Sequence, residues 1–115
     1  MSITIYHNPR CSKSRQTLAL LRENNIEPDI IEYLNTPPDQ LTMIGLLDKL
    51  GLGARQLMRN KEQEYKDADL DNPNLSDAEL IDAMIKQPKL IERPIVVNGD
   101  KAVIGRPPEN VLEII

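Results

Sequence analysis

Hydrophobic and polar residues alternate along the first part of the chain in a way that predicts a strand, a helix and a second strand. Residues 2–7 alternate apolar and polar side chains and are rich in β-branched residues, which is typical of a strand, and Asn8-Pro9 ends it. Residues 12–24 carry leucines near helical spacing and predict a helix, and residues 29–34 predict a second strand. This β-α-β order predicts a parallel strand pair, with Cys11 at the junction of the first strand and the helix.

The next segment predicts a helix with one buried face. Residues 36–39 contain two prolines and an aspartate and offer a helix start, and Gly51 offers a stop. We expect the buried stripe of this helix to consist of Leu41, Ile44, Leu47 and Leu50.

A capping box marks the start of a later helix. Residues 55–70 are rich in charge and predict one or two short helices, which residues 71–74 interrupt. The side chains of Ser76 and Glu79 have the spacing at which each can bond a free backbone N–H of a helix start. The helix should end at Gln87, because the proline that follows disfavours helical geometry in the residue before it. Its buried residues are predicted to be Leu80, Ile81, Met84 and Ile85.

The last segment predicts a β-hairpin and a closing helix. Residues 94–97 and 102–104 are typical of strands on either side of a strong Asn-Gly turn signal, and residues 108–114 predict a short helix. The complete order predicts an α/β (α+β) fold in which helices cover a mixed four-stranded sheet. We expect one domain over residues 1–115, with a helical insertion at about residues 40–88 between the β-α-β unit and the hairpin. Ligands of such sheets favour the carboxyl ends of parallel strands, where Cys11 is predicted to lie.

Composition narrows the classes of function. A chain of 115 residues fits one domain, and with no Phe, no Trp and three Tyr it has few aromatic platforms for nucleic-acid bases. No apolar run reaches the roughly 18 residues of a membrane span, and the N-terminus has neither a basic lead nor a cleavable apolar stretch. We therefore expect a cytoplasmic protein that binds neither nucleic acid nor membrane.

Positive charge is concentrated around Cys11. Residues 1–22 contain four basic residues and no acidic residue, whereas the formal net charge of the whole chain is -4. A cationic segment in an acidic chain suits a small anionic substrate better than a polyanion, which the overall negative field would repel. The alternative is that these side chains are simply solvated on the surface of the first helix.

Cys11 is the only cysteine, and its setting is typical of a reactive thiol. A thiol attacks as the thiolate, which the N-terminus of a helix and nearby cations stabilise. The same groups can bind a small anion, so the nucleophile and the substrate site would coincide. The polar residues available for these tasks are Arg10, Ser12, Lys13, Ser14 and Arg15. The alternative, a buried structural cysteine, fits poorly with so polar a segment.

The spacing of residues around Cys11 argues against three familiar kinds of site. Ser14 stands where a Cys-x-x-Cys dithiol has its second cysteine, so Cys11 needs an external thiol as its resolving partner. Thr17 stands where the loop of a cysteine phosphatase has an arginine. One cysteine and one histidine are too few ligands for a zinc site, and no bound metal or cofactor is expected.

Four stretches of the chain resemble the glutaredoxin-dependent arsenate reductase family. They are residues 5–15 (IYHNPRCSKSR), 55–59 (RQLMR), 90–97 (LIERPIVV) and 105–107 (GRP). The resemblance implies a thioredoxin-like fold with a helical insertion. It also implies reduction of arsenate to arsenite, with glutathione as co-substrate and glutaredoxin as partner.

The same resemblance implies roles for individual residues. The nucleophile of the family falls on Cys11, and its three oxyanion-binding arginines, which also take part in catalysis, fall on Arg59, Arg93 and Arg106. The family histidine matches His7, which would tune the ionisation of the thiol, and the serine of the cysteine loop matches Ser14, which would bind substrate. The cis-proline of the family matches Pro94.

Arginine suits arsenate for a physical reason. A tetrahedral dianion accepts paired, charge-assisted hydrogen bonds from a planar guanidinium that never loses its proton. Arg93 and Arg106 bracket the predicted hairpin and can point from strand ends toward one location, whereas Arg59 must come from the helical insertion.

Two other functions stay open at the level of sequence. The first is a monothiol enzyme of the same fold that acts on glutathione mixed disulfides or on another oxyanion. The second is a thioredoxin-fold regulator that binds RNA polymerase and senses oxidants. Such regulators usually carry Cys-x-x-Cys, and both Ser14 and the retained arginines argue against that role.

Overall fold

The strand pattern of the sequence produces a four-stranded mixed sheet. In the computed structural model, which describes residues 2–115, the strands are β1 (Ile3–Tyr6), β2 (Asp29–Ile31), β3 (Ile95–Asn98) and β4 (Lys101–Ile104). Their order is β2-β1-β3-β4, with β1 parallel to β2 and antiparallel to β3, and with β3 antiparallel to β4. The predicted mixed sheet, its parallel pair and its C-terminal hairpin are confirmed.

The second strand is shorter than its sequence predicts. The pattern of residues 29–34 predicts six strand residues, but β2 ends at Ile31. Among the described strands its only neighbour is β1, and the register pairs Ile31 with Tyr6, the last residue of β1. Residues 32–34 therefore have no described strand beside them to continue the ladder.

The described residues form two compact units. The first contains the described residues up to Thr36 together with Arg93–Ile115, and the second is Pro37–Glu92. Among residues 2–115, no helix has the length and the apolar character that crossing a bilayer would require.

The first unit packs one helix against the sheet. Helix α1 (Ser12–Glu23) follows β1, as predicted, and a 3₁₀ helix (Pro108–Glu113) stands where the closing helix is predicted. Burial of branched apolar side chains from the sheet and both helices stabilises this unit, because each removes hydrocarbon from water. The core cluster consists of Ile3, Ile5, Leu18, Leu21, Val96 and Val111.

The second unit is helical. It contains α2 (Gln40–Leu50), α3 (Ala54–Leu57), α4 (Gln63–Asp67), α5 (Asp77–Lys86) and a 3₁₀ turn (Pro88–Leu90). The capping box of α5 is confirmed, since Ser76 Oγ accepts a hydrogen bond from the N–H of Glu79 and Glu79 Oε1 accepts one from the N–H of Ser76. The residue after α5 is Gln87, where the sequence predicts the end of the helix.

The predicted start and stop of α2 are confirmed, and its predicted buried stripe is correct at Leu47 but wrong at Leu41 and Ile44. Asp39 caps the helix by accepting a hydrogen bond from the N–H of Thr42, and Gly51 ends it with φ 70°, a value that glycine adopts without steric cost. The side chains that α2 buries are Met43, Leu46 and Leu47, whereas Leu41 is 81% exposed and Ile44 is 52% exposed.

Candidate active site

Cys11 occupies the N-cap position of α1, as predicted from its place between strand and helix. Its backbone is extended, with φ -92° and ψ 123°, and its side chain makes no capping hydrogen bond with the helix. Its N–H donates to the carbonyl of Asn8 at 3.0 Å, and its own carbonyl accepts from the N–H of Arg15 at 3.0 Å. No acidic residue lies in the first turn of α1, so the positive end of the helix dipole acts on the thiol without a nearby carboxylate from that turn.

Arg106 is the charged side chain that contacts the thiol. Its Nη2 lies 3.6 Å from Sγ of Cys11, within hydrogen-bonding distance for sulfur. Its Nε donates to the backbone carbonyl of Arg93 at 2.8 Å, which fixes the plane of the guanidinium. Cys11 is 8% exposed whereas Arg106 is exposed, so the sulfur is buried while the arginine keeps contact with water.

The backbone of Arg93 contacts the side chain of Arg106. Its carbonyl is the acceptor for Arg106 Nε, and the Nε and Nη1 atoms of its own side chain are buried. The Arg93–Pro94 peptide bond is cis, which confirms the cis-proline that the sequence places at Pro94, and the Arg106–Pro107 bond is cis as well. The structure thus brings Cys11, Arg93 and Arg106 to the same end of the sheet.

His7 and Ser14 form a buried pair beneath the cysteine loop. His7 Nδ1 and Ser14 Oγ lie 2.6 Å apart, and Ser14 Oγ also accepts from the N–H of Asn8 at 3.0 Å. Ser14 is fully buried and His7 is almost so. The described bonds of Ser14 therefore lie inside the loop, and direct binding of substrate by Ser14 stays a prediction.

Burial lowers the pKa of His7. Desolvation is the largest cause that lowers the pKa of His7 below 6.5; the charge of Glu32 raises it, and the charges of Arg22 and Arg15 lower it further. The lowered pKa means that burial disfavours the charged form of the ring. The bond between Nδ1 and Oγ joins the two ends of residues 7–14.

The remaining cations of the loop point to solvent. Arg10, Lys13 and Arg15 are all exposed, and Ser12 is exposed as well. Arg15 Nη1 donates to the carbonyl of Pro9 at 3.0 Å, so this side chain closes the loop from outside. These residues raise the positive potential around Cys11 over a longer range than the contact with Arg106 does.

Arg59 lies in the second unit, where it pairs with acidic side chains. Its Nη1 is 2.9 Å from Glu62 Oε1, its Nε is 3.8 Å from Glu92 Oε1, and its backbone N–H donates to the carbonyl of Leu90. The assignment of Arg59 to an oxyanion site stays a prediction from the resemblance.

Thr17 and Gly105, which the sequence pattern does not mark as functional, also lie at the site. Thr17 is fully buried, and its hydroxyl lies 3.3 Å from the carbonyl of Gly105, 88 residues away. Gly105 directly precedes Arg106. The signal that could have found this contact is the Gly-Arg-Pro stretch, in which a glycine next to a functional arginine suggests a close approach of another element.

The arrangement has the parts of a thiol-based anion site. A cysteine at a helix N-terminus can attack an electrophilic centre, and a fixed guanidinium beside the sulfur can hold the negative charge of a substrate or an adduct. The structure contains no second thiol, because Cys11 is the only cysteine of the chain.

The chain is similar to known proteins in sequence and in structure. The family model described as "ArsC family" matches residues 6–114. The chain is 54% identical to the arsenate reductase of Haemophilus influenzae over the full length of both chains, and 58% identical to the protein YfgD of Escherichia coli strain K12 over 98% of this chain and 96% of that protein. Its structure resembles that of an arsenate reductase from Vibrio cholerae with a TM-score of 0.97 and 53% identity, covering 100% of this chain and 98% of the other.

Proposed function

The chain belongs to the ArsC family, and from that membership we propose that it is an arsenate reductase whose nucleophile is Cys11. The single observation that supports this assignment of the site is the 3.6 Å contact between Arg106 Nη2 and Cys11 Sγ at the N-terminus of α1. It combines the two requirements of the reaction, a nucleophilic sulfur and a fixed cation for an oxyanion. Relatives from Haemophilus influenzae and Vibrio cholerae carry the name arsenate reductase, which supports arsenate as the substrate.

We assign arsenate binding to the guanidinium groups of the site arginines. In our proposal Arg106 and Arg93 donate charge-assisted hydrogen bonds to the arsenate oxygens, and the bond from Arg106 Nε to the Arg93 carbonyl keeps the fork of Arg106 aimed at the sulfur. Preorganised donors of this kind stabilise the charge of an adduct without rearranging during the reaction. The assignment of Arg59 to the same oxyanion rests on the family resemblance alone.

The first chemical step is attack by the thiolate of Cys11 on arsenic. The sulfur–arsenic bond forms, one arsenic–oxygen bond breaks, and the departing hydroxide takes a proton from solvent, which replaces the one that the thiol lost, and leaves as water. Arsenic stays in the +5 state in this ester. Nucleophilic catalysis of this kind divides one difficult reduction into steps with lower barriers.

Reduction requires two further thiols, because Cys11 has no partner cysteine in the chain. Glutathione displaces a second oxygen as water and forms its own sulfur–arsenic bond. A glutaredoxin thiol then attacks the glutathione sulfur, giving a mixed disulfide, and the electron pair of the broken sulfur–arsenic bond reduces arsenic to +3. Water releases arsenite and restores the Cys11 thiol.

His7 and Ser14 support this chemistry by holding the loop. Since the hydroxyl of Ser14 is bonded to His7 and to the N–H of Asn8, we assign the pair the task of fixing residues 7–14 around the nucleophile. No bound cofactor takes part, and glutathione acts as a co-substrate.

A coupled assay tests the proposal. Arsenate-dependent oxidation of NADPH is followed in the presence of glutathione, glutaredoxin and glutathione reductase, for the parent chain and for Cys11→Ser. We expect turnover in the parent, none in the variant, and none when glutaredoxin is omitted. Circular dichroism of both proteins shows whether the variant keeps its fold.

Each possible failure contradicts a different part of the proposal. A folded, reduced parent without arsenate-dependent turnover contradicts arsenate as the substrate and favours a glutathione mixed disulfide or another oxyanion. Turnover in Cys11→Ser contradicts the nucleophile. Turnover with glutathione but without glutaredoxin contradicts the assigned partner.

A further inference from the structure

We propose that Thr17 is a positioning residue, whose buried hydroxyl fastens α1 to the end of β4 and thereby sets the position of the Arg106 guanidinium beside Cys11. The inference rests on the proposed function only in taking Cys11 as the reactive group. It concerns a side chain that contacts neither the sulfur nor the substrate.

The hydroxyl of Thr17 bonds two carbonyl groups that are remote from one another in sequence. Thr17 Oγ1 lies 2.8 Å from the carbonyl of Lys13 and 3.3 Å from the carbonyl of Gly105. One hydroxyl has one hydrogen, so the two carbonyls share it in a three-centre bond. The bond to Lys13 is the common contact of a helical threonine with the carbonyl four residues earlier, and alone it carries no meaning for function. The carbonyl of Gly105 is 88 residues away, and it turns a local contact into a connection between two elements.

The approach of Thr17 to Gly105 leaves no room for a side chain at residue 105. A Cβ atom there would lie 2.6 Å from Thr17 Oγ1, 2.9 Å from Thr17 Cγ2 and 2.9 Å from Pro94 Cγ, all closer than ordinary contacts. Glycine is therefore present for steric reasons, because α1 and the cis-proline segment press on the backbone from two sides. The same backbone is fixed by the N–H of Gly105, which donates to the carbonyl of Pro94 at 2.9 Å.

The residue next to Gly105 is the one whose side chain contacts the thiol. Arg106 follows Gly105, its N–H donates to the carbonyl of Ile104 at 2.9 Å, and its Nη2 lies 3.6 Å from Cys11 Sγ. Cys11 begins the same helix that carries Thr17. The helix and the arginine are therefore tied together twice, once through the hydroxyl of Thr17 and once through the sulfur. Loss of the first connection should loosen the second.

Alkylation of Cys11 measures the position of Arg106 directly. Iodoacetate is an anion and iodoacetamide is neutral, and both react with the same thiolate, so the ratio of their rate constants cancels the fraction of thiolate. A guanidinium beside the sulfur raises this ratio, and Arg106→Ala gives its value without that cation. We expect Thr17→Val to lower the ratio about threefold toward the Arg106→Ala value, an effect on the scale of one net hydrogen bond. Thr17→Ser, which keeps the hydroxyl, should keep the ratio of the parent.

Controls separate positioning from a general loss of structure. Thr36→Val makes the same chemical change at an exposed threonine of the first unit and should leave the ratio unchanged. Thr17→Ala removes the hydroxyl with a smaller side chain and should behave as Thr17→Val does, so a folding failure of either variant leaves the other to decide. Circular dichroism and thermal unfolding verify that each compared protein is folded.

The proposal is overturned if folded Thr17→Val and Thr17→Ala keep the parent ratio, or if Thr17→Ser loses it as they do. The measurement uses no arsenate. Failure of the arsenate assay with the expected alkylation ratios would therefore contradict the proposed function and leave the role of Thr17 intact.

Discussion

Nη2 of Arg106 lies 3.6 Å from Sγ of Cys11, although 95 residues separate the two in sequence. The guanidinium is held in this place by its Nε, which donates to the carbonyl of Arg93. In the proposed reaction a cation so placed holds the negative charge of an oxyanion bonded to the sulfur. The contact is therefore the feature of the structure whose removal should affect the chemistry most directly.

Arg106→Ala should lower kcat/KM for arsenate by about 10²- to 10³-fold, the usual cost of deleting one preorganised oxyanion donor. Arg106→Lys keeps the charge but loses the planar fork, so its activity should lie between that of the parent and that of Arg106→Ala. Steady-state kinetics in the coupled assay check this, with Arg22→Ala as a control because Arg22 is an exposed cation of α1 paired with Glu27. Activity of Arg106→Ala within about threefold of the parent would contradict a role in binding the oxyanion.

The depressed pKa of His7 predicts a loss of stability in mild acid. Because burial lowers the pKa of His7 below 6.5 in the folded protein, the unfolded chain binds a proton more readily in the range below that value. The contribution of His7 to the free energy of unfolding is thus complete above 6.5 and is lost as the pH falls toward the folded pKa. Urea unfolding between about pH 7.5 and about pH 5.5 measures it.

His7→Asn is the matched variant for this measurement. His7 is the only histidine, and the variant should remove the part of the pH dependence that belongs to the ring. Equal losses of stability in parent and variant over that range would show that another group is responsible.

Helix α2 offers a matched pair of leucines with opposite environments. Leu46 is 3% exposed and Leu41 is 81% exposed. Leu46→Ala should lower the free energy of unfolding by about 2 to 5 kcal/mol, because it removes buried methyl groups and leaves a cavity. Leu41→Ala should change it by less than about 0.5 kcal/mol. Denaturant unfolding of both variants checks the corrected face of the helix, and a larger effect at Leu41 would contradict it.

The capping box of α5 should contribute measurably to stability. Ser76→Ala removes the acceptor for the N–H of Glu79 and the partner of Glu79 Oε1, and should lower the free energy of unfolding by about 1 kcal/mol. Ser2→Ala, at an exposed serine outside the helices, serves as the control. Arsenate turnover should be unaffected at temperatures where both proteins are folded, and an unchanged midpoint of unfolding for Ser76→Ala would contradict the cap.

The elements that could be predicted from the sequence are those whose signals are local. The alternation in residues 2–7, the Asn-Gly turn and the Ser76–Glu79 cap each act over a few residues, and each appears in the structure as predicted. The position of Cys11 follows from two such neighbours, a strand and a helix. The length of β2 could not be predicted from local signals, because β2 ends where its partner strand β1 ends.

The buried face of α2 shows how a local signal can be misread. Leu41, Ile44, Leu47 and Leu50 recur every three residues, a spacing that drifts around a helix of 3.6 residues per turn. Met43, Leu46, Leu47 and Leu50 fit the i, i+3, i+4, i+7 pattern better, and the residues that the helix buries come from this set.

The long-range contacts of the site could not be predicted from the sequence. Tertiary packing decides whether the hydroxyl of Ser14 faces the sulfur of Cys11 or the ring of His7. The sequence is the same in both cases, so it could not predict the observed pair. The contact of Thr17 with Gly105 depends on how α1 crosses the end of β4, which no local pattern encodes.

The central position of β1 in the sheet has a consequence for the order of events during synthesis. β1 is synthesised before its antiparallel partner β3 and before the residue that contacts the thiol, because both of these follow the helical second unit in sequence. A nascent chain that has not yet reached residue 106 therefore carries Cys11 without its guanidinium neighbour and β1 with one edge unpaired. The thiol acquires Arg106 as its neighbour only after β4 has been made, so a translation product that ends before residue 106 would lack this contact.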